Sequence, residues 1–244
     1  MLDLISVDPG RPRVTWYGAD HERVEFSAKT LNNWVSKTAN LLVDELDAEP
    51  GFRLGIALPA HWRTVVWLLA GWSVGAHAIV LASAGPPVPA PDAPTTAVDV
   101  LVTDRPSSPP PGTIESQLVV VSLPALATRF LGDVPTGAID AAAEVRLQPD
   151  VFVAGTRPAG AVPAFTSGER TVSHADLMAA ARAAAPETGP VRLLSGAGPE
   201  RAIEAYLAPL AAGGSVVLHH DLAGLSESER AHLISQEGVT AVDL

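Results

Sequence analysis

The sequence predicts an α/β protein made of two βαβ-type lobes, with mainly parallel sheets flanked by helices. Short runs rich in Val, Ile and Leu recur along the chain, and segments with helical hydrophobic spacing stand between them. The 22 prolines and 20 glycines cluster at the junctions of these segments, where they end helices and strands. With 244 residues, of which 47% are hydrophobic, the chain can bury a large core.

The first half of the chain predicts a β-hairpin, a helix and a βαβ unit. Two β-prone runs at 14–17 and 24–26 flank a turn-rich insert, and residues 28–47 carry a hydrophobic face at helical spacing. A strand, an apolar helix and a second strand follow with short connections, which is typical of parallel strands with a right-handed crossover. The strands predicted after the hairpin are residues 53–58, 78–81, 98–103 and 118–121.

The second half of the chain repeats the alternation of strands and helices. Ser173 and Asp176 fit a capping box in its Ser-x-x-Asp form, which predicts a helix that continues to residue 185. Further strands are predicted at 191–194, 215–218 and 239–242, and further helices at 199–211 and 226–236. The expected organisation is an N-terminal lobe at 1–131, a connector at 132–149 and a second lobe at 150–244, or one compact domain over 1–244.

Composition excludes several functional classes. The formal net charge is −11 and Lys and Arg form no cluster, so nucleic acid is not an expected partner. The chain has no cysteine, which removes disulfides and thiolate catalysis, and its start lacks the features of a secretory signal, so we expect a cytoplasmic protein.

Residues 64–91 carry no charged side chain, but glycine and polar residues interrupt them. This pattern predicts a buried helix, a short loop and a buried strand, then a turn at 83–87, in place of a membrane span.

One candidate binding site is the stretch Thr166, Ser167 and Gly168, which precedes a predicted helix. A glycine turn and hydroxyl groups before a helix fit an anion or nucleotide contact. A β-hairpin turn over residues 167–170 explains the same residues and is favoured, because turns are the commonest place for glycine. His174 is expected to be a solvated histidine in the first helical turn, and no residue is assigned as catalytic.

Two further motifs have weaker functional interpretations. Residues 195–198 lie between a strand and a helix, but they contain only a Gly-x-Gly, so a tight turn is favoured over a dinucleotide-binding loop. His219 and His220 have the chemistry of metal ligands. Neighbouring residues on a strand point to opposite faces, however, and no third ligand is evident, so no metal site is assigned.

Four segments share their pattern with a known family. They are residues 24–27 with the helix that follows, 51–59, 70–80 and 208–218. These segments resemble packing and turn segments of the AMP-forming adenylating enzymes, which include acyl-CoA synthetases, luciferases and the adenylation domains of peptide synthetases. The resemblance covers most of the chain. It implies the fold of the family's large N-terminal domain, without its C-terminal domain.

The nucleotide loop of that family is where this sequence departs from it. The family motif, TSG-[ST]-TG-x-PKG-V-x-x-[ST]-H-x-x-L, is similar to Thr166, Ser167 and Gly168 at one end and to residues 172–177 at the other. The glycine-rich middle of the motif and its lysine are missing. Glu169 would also repel a triphosphate at this position. The resemblance therefore implies a vestigial contact at these three residues, no tight binding of ATP or magnesium, and no other cofactor.

The leading interpretation is a truncated, degenerate and non-catalytic relative of these enzymes, that is, a pseudoenzyme. The histidine of the family's P-L-x-H turn is absent at residues 195–199, and the chain ends before the family's later motifs. One alternative is a protein that binds a small acyl, acyl-CoA or adenosine ligand. Another is an interaction subunit, or half of a split adenylating ligase whose activity a partner chain completes. An unpaired sheet edge would favour a homodimer or another protein partner.

Overall fold

The computed structural model describes residues 8–19, 22–81, 95–187 and 189–243. It contains two mixed, mostly parallel β-sheets flanked by helices, which confirms the predicted fold class. The chain divides into two compact units. Unit 1 takes its described residues from Met1–Asn33, Pro59–Val66 and Asp176–Leu244, and unit 2 from Trp34–Leu58 and Trp67–Ala175. The lobe boundaries expected at residues 131 and 150 stay a prediction.

Unit 1 is built on a five-stranded sheet with the order β12-β10-β11-β1-β2. The predicted N-terminal hairpin is confirmed, since β1 and β2 pair antiparallel. β1 also lies parallel to β11 near the other end of the chain, with Val14 opposite Val216. β10 lies between β11 and β12 and is parallel to both. The strands are β1 (Pro12–Tyr17), β2 (Arg23–Ser27), β10 (Arg192–Ser195), β11 (Ser215–His219) and β12 (Ala241–Asp243).

Helices follow the strands of unit 1, as predicted, but one of them is irregular. The helix expected over 199–211 consists of a 3₁₀ turn (Pro199–Arg201), a π-helical segment (Ile203–Leu207) and the short helix α5 (Ala208–Ala211). Ala208 donates its amide to the carbonyl of Ile203, five residues earlier, and Pro209 has no amide hydrogen to donate. Proline thus accounts for the irregular ladder. The regular helices are α4 (Leu177–Ala184) and α6 (Glu227–Glu237).

The capping box predicted at Ser173 and Asp176 is wrong. Ser173 lies in a strand, opposite Pro163, and α4 begins only at Leu177. Asp176 occupies the N-cap position, but its side chain forms no capping hydrogen bond. Strand pairing of Ser173 therefore prevails over the local helix signal. A complete capping box occurs instead at the start of α6, between Ser226 and Glu229.

Unit 2 contains a seven-stranded sheet with the order β7-β6-β5-β3-β4-β8-β9. All neighbouring strands are parallel except β8 and β9, which form an antiparallel hairpin. A cluster of buried apolar residues belongs to this sheet and to the end of β4, namely Ala57, Leu81, Val98 and Leu101. The strands are β3 (Arg53–Ala57), β4 (His77–Val80), β5 (Thr96–Thr103), β6 (Thr113–Val120), β7 (Ile139–Asp140), β8 (Pro163–Ser167) and β9 (Arg170–Ser173).

The remaining helices include the apolar segment that was tested as a membrane span. This helix, α2 (Trp62–Val74), has 13 residues, and no described helix is long and apolar enough to cross a membrane. The turn predicted at 83–87 lies outside the described residues. The cytoplasmic location stays a prediction. The other two helices are α1 (Ala28–Asp44), three residues shorter than predicted, and the short α3 (Ala141–Glu144).

Candidate functional site

A cleft of about 490 Å³ lies in unit 1 where the parallel strands β10, β11 and β12 end. The carboxyl ends of parallel strands are the usual place for ligands in open α/β sheets, and this volume suits a small molecule. The loops after β10 and β11, the helix α6 and the end of β12 supply its walls. The lining residues are Gly196, Ala197, Glu200, Arg201, His220, Asp221, Leu222, Ala223, Arg230 and Asp243.

The loop after β10 is fixed by buried polar contacts. The Ser195 hydroxyl donates to Asp243 Oδ2 at 2.9 Å and accepts the Ala197 amide at 3.0 Å. The Tyr206 hydroxyl, from the π-helical segment, donates to the Ala197 carbonyl at 2.6 Å. A Cβ atom at Gly196 would lie 2.9 Å from that of Leu222, so the two loops approach each other closely. Residues 196–198 form a short connection between β10 and the 3₁₀ turn, but their backbone makes neither a turn nor a bend, so the prediction of a tight turn at residues 195–198 is wrong.

Most of the charged groups in the cleft already have partners. Arg201 forms a salt bridge with Asp243 at 2.8 Å. Glu200 accepts the Gly198 amide at 3.0 Å, and Asp221 accepts the Gly224 amide at 3.1 Å, so each holds its own loop. Both of these carboxylates are exposed.

Arg230 is different, because part of its guanidinium has no partner. Its Nη2 donates to the Leu225 carbonyl at 3.3 Å, but its buried Nε has no hydrogen-bond acceptor among the described residues. Arg230 also forms no salt bridge within that part of the chain. A buried donor without an acceptor costs about 1–3 kcal/mol. Arg230 is therefore the cation of the cleft lining that no carboxylate of the described residues neutralises.

The helix that carries Arg230 is held at its far end by Glu237. The side chain of Glu237 is 4% exposed and accepts hydrogen bonds from Tyr17, from Arg23 Nε at 2.9 Å and from Arg192 Nη2 at 2.5 Å. Burial raises the pKa of Glu237, but the hydrogen bonds from Arg23, Tyr17 and Arg192 outweigh it and lower the pKa to about 2. This network ties α6 to the hairpin and to β10.

The two histidines considered as metal ligands lie at the end of β11. The two imidazole rings stack with their centroids 5.0 Å apart, so the expectation that they point to opposite faces is wrong. His220 comes after His219, the last residue of β11, and side chains no longer alternate between the two faces of the sheet beyond the strand. His219 is buried, accepts the Asp221 amide at 3.1 Å on Nδ1 and stacks on Tyr17. Burial, and then the neighbouring His220, lower the pKa of His219. Within the described residues no three His, Cys, Asp or Glu side chains are placed to share a metal ion.

Thr166, Ser167 and Gly168 belong to unit 2, in the hairpin of β8 and β9. Ser167 pairs with Arg170, so the turn has two residues, and Gly168 adopts a left-handed φ of +56°. This geometry confirms the predicted hairpin turn. The Thr166 hydroxyl lies 2.7 Å from His77 Nε2 and 2.9 Å from the Thr171 hydroxyl, so two side chains of the sheet already engage it. A vestigial binding role for these residues stays a prediction.

His174 is not the solvated helical residue that was expected. It precedes α4, is half-buried, and its Nε2 donates to the carbonyls of Gly75 and Ala76 at 3.1 and 3.2 Å. Burial lowers the pKa of His174. The pKa of His77 is also lowered, by burial first and then by the charges of His174 and Arg53. Both histidines thus form hydrogen bonds within unit 2.

Solved structures show which fold this architecture belongs to. The chain superimposes on an acyl-CoA synthetase from Brucella canis with a TM-score of 0.74 and 19% identity over 99% of its own length. It superimposes on the anthranilate CoA ligase AuaEII, solved with anthranoyl-AMP, with a TM-score of 0.72 and 16% identity over 98%. The chain spans 47% of the length of each of these enzymes. The predicted resemblance to adenylating enzymes is confirmed at the level of the fold.

A relative of similar length shows the family. No protein-family model matches the chain. A TIGR03089 family protein from Mycobacterium tuberculosis (strain ATCC 25618 / H37Rv) is 38% identical over 215 residues. The aligned part makes up 88% of this chain and 85% of the relative, so it covers most of both proteins. The chain belongs to the TIGR03089 family.

Proposed function

We propose that this protein is a non-catalytic relative of the adenylating enzymes that binds a small carboxylic acid in the cleft of unit 1 and does not activate it with ATP. The observation that supports this ligand is Arg230, a cation that no carboxylate of the described residues neutralises and that lines a cleft of about 490 Å³. Guanidinium groups bind carboxylates strongly because several N–H donors face the two oxygens.

The lack of ATP chemistry is supported by the hairpin turn around Gly168. A phosphate loop presents several backbone amides and a lysine to the ligand. Here the turn has two residues, Gly168 and Glu169, and the second is an exposed acid. The neighbouring Thr166 hydroxyl is engaged by His77 and Thr171. A triphosphate at this turn gains few donors and meets a like charge.

Calorimetric titration with ATP and magnesium tests the catalytic part of the proposal. We expect a Kd weaker than about 1 mM, which is less than about 4 kcal/mol of binding free energy. We also expect no ATP–pyrophosphate exchange with any carboxylic acid. A low-micromolar Kd for ATP would refute the proposed loss of the ATP site, and measurable exchange would show that the protein is an enzyme.

Ligand-dependent stability tests the binding part. Pentanoate, added at constant ionic strength, should raise the unfolding free energy, because a ligand that binds only the folded state stabilises it by about 2.7 kcal/mol at 100 times its Kd. Arg230→Gln should abolish this gain. Arg182→Gln is the matched control, since Arg182 is an exposed residue of α4. Equal gains in both variants would place the acid elsewhere.

Association with a second copy or another protein, as in a split ligase, stays a prediction.

A further inference from the structure

Three charged side chains that line the cleft form no salt bridge within the described residues, and their signs indicate the kind of ligand that would bind. Arg201 and Asp243 neutralise each other in their salt bridge. What remains is one guanidinium, Arg230, and two carboxylates, Glu200 and Asp221. Among residues 8–19, 22–81, 95–187 and 189–243, none of these three groups forms an ion pair. The cleft thus presents charges of both signs that no salt bridge within the described residues neutralises.

The two carboxylates keep hydrogen-bonding capacity for a ligand. An ionised carboxylate has about four lone-pair sites. Glu200 and Asp221 each accept one backbone amide, from Gly198 and Gly224, and both side chains are exposed. An ammonium group carries three donors and suits such acceptors. The loop contacts therefore orient the two acids without saturating them.

A ligand with one charge should bind this cleft more weakly than a ligand with both charges. A simple anion gains the guanidinium of Arg230 but approaches the carboxylates of Glu200 and Asp221. A simple cation gains the carboxylates and approaches the guanidinium. Charge complementarity mainly sets specificity, because juxtaposed like charges cost several kcal/mol. A molecule that carries both charges satisfies all three groups.

We propose that the cleft binds a small zwitterion, whose anionic group contacts Arg230 and whose primary ammonium contacts Glu200 and Asp221. This inference rests on the acid-binding cleft proposed above and adds the amine. The anionic group is a carboxylate or a phosphate, since both match the donors of a guanidinium. Ala197, Leu222 and Ala223 also line the cleft, and their apolar side chains suit a short carbon chain.

Calorimetric titration with four probes at matched ionic strength tests the proposal. The probes are 5-aminopentanoate, pentanoate, pentylamine and phosphoethanolamine. We expect 5-aminopentanoate to bind at least about tenfold more tightly than pentanoate or pentylamine, which is the effect of one added charged contact. Phosphoethanolamine decides between the two anions, since tighter binding than 5-aminopentanoate assigns a phosphate and weaker binding assigns a carboxylate.

Variants separate the two ends of the ligand. Arg230→Gln should reduce the affinity for 5-aminopentanoate to about that for pentylamine, and Glu200→Gln with Asp221→Asn should reduce it to about that for pentanoate. Arg182→Gln should change neither affinity. Near-ultraviolet circular dichroism and thermal unfolding would verify that each variant is folded.

The outcomes distinguish this inference from the proposed function. If pentanoate binds as tightly as 5-aminopentanoate, the zwitterion is refuted and the acid-binding cleft stands. If no probe binds at millimolar concentration, both are refuted. If ATP supports pyrophosphate exchange while 5-aminopentanoate still binds through Arg230, the non-catalytic proposal fails and the zwitterion remains.

Discussion

Replacing Glu237 by glutamine should cost this protein much of its stability at neutral pH. The substitution keeps the shape of the side chain and removes the charge that Arg23 and Arg192 contact. The pKa of Glu237 falls from its ordinary value of 4.5 to about 2. This difference corresponds to about 3 kcal/mol of stability at pH 7, because each pKa unit is worth 1.36 kcal/mol.

The sign of the pH dependence follows from the lowered pKa. A carboxyl group that ionises more readily in the folded state contributes its full stability above pH 4.5 and loses that contribution as the pH falls toward 2. The cost of Glu237→Gln should therefore shrink from about 3 kcal/mol at pH 7 to about 2 kcal/mol at pH 3.5. Breaking a buried ion pair from one side costs 3–5 kcal/mol in general, which is consistent with the upper figure.

Urea titrations followed by tryptophan fluorescence measure this cost, and the chain supplies five tryptophans. Glu187→Gln is the control, because Glu187 is exposed in the loop after α4, and it should stay within about 0.5 kcal/mol of the parent protein. A loss for Glu237→Gln no larger than that of the control, or one that is independent of pH, would refute the assigned role of the network.

Two further predictions concern packing and protonation. Gly214→Ala should destabilise the protein by about 2 kcal/mol or more, because the added Cβ would overlap the backbone carbonyl of the residue that precedes β10. Gly155→Ala is the control, since Gly155 has open space around it, and it should have little effect in the same urea titration. Stability should also fall as the pH drops from about 7.5 to 5.5, because burial lowers the pKa of His77 and His174 and the unfolded chain takes up protons first. The double variant His77→Asn with His174→Gln should reduce this slope, although His219, whose pKa is also lowered, still contributes to it. His232→Gln, at an exposed position of α6, should leave the slope unchanged.

The local elements could be predicted from the sequence because each follows from nearby residues. Apolar runs predicted most of the strands, and helical spacing predicted α1, α2 and α6. β7 lies in the segment expected to be a connector, and the prediction covered only the end of β6. The short connection from Gly168 to Ser173 correctly indicated a hairpin turn. The capping box failed at Ser173 because the pairing of that residue with Pro163 is a contact between strands, which a four-residue motif does not report.

The candidate site was harder to predict because it depends on contacts between distant segments. Arg230 follows a serine and two acids at the start of a helix, so in the sequence it looks like an ordinary solvated cation. Its position in the cleft depends on the loops after β10 and β11 and on Glu237 at the other end of α6. Residues 195–198 were correctly predicted to connect a strand to a helical segment, but a sequence motif does not reveal the space enclosed beside them.

The parallel pairing of β1 with β11 has a consequence for synthesis of the protein. Val14 and Val216 lie opposite each other although about 200 residues separate them. At elongation rates of about 5–20 residues per second, the ribosome needs about 10–40 s to deliver the second strand after the first. During that interval β1 emerges without its parallel neighbour, and contacts this distant in sequence form slowly even afterwards. The nascent N-terminal hairpin is thus the segment of this sheet with the longest exposure to chaperones and to aggregation.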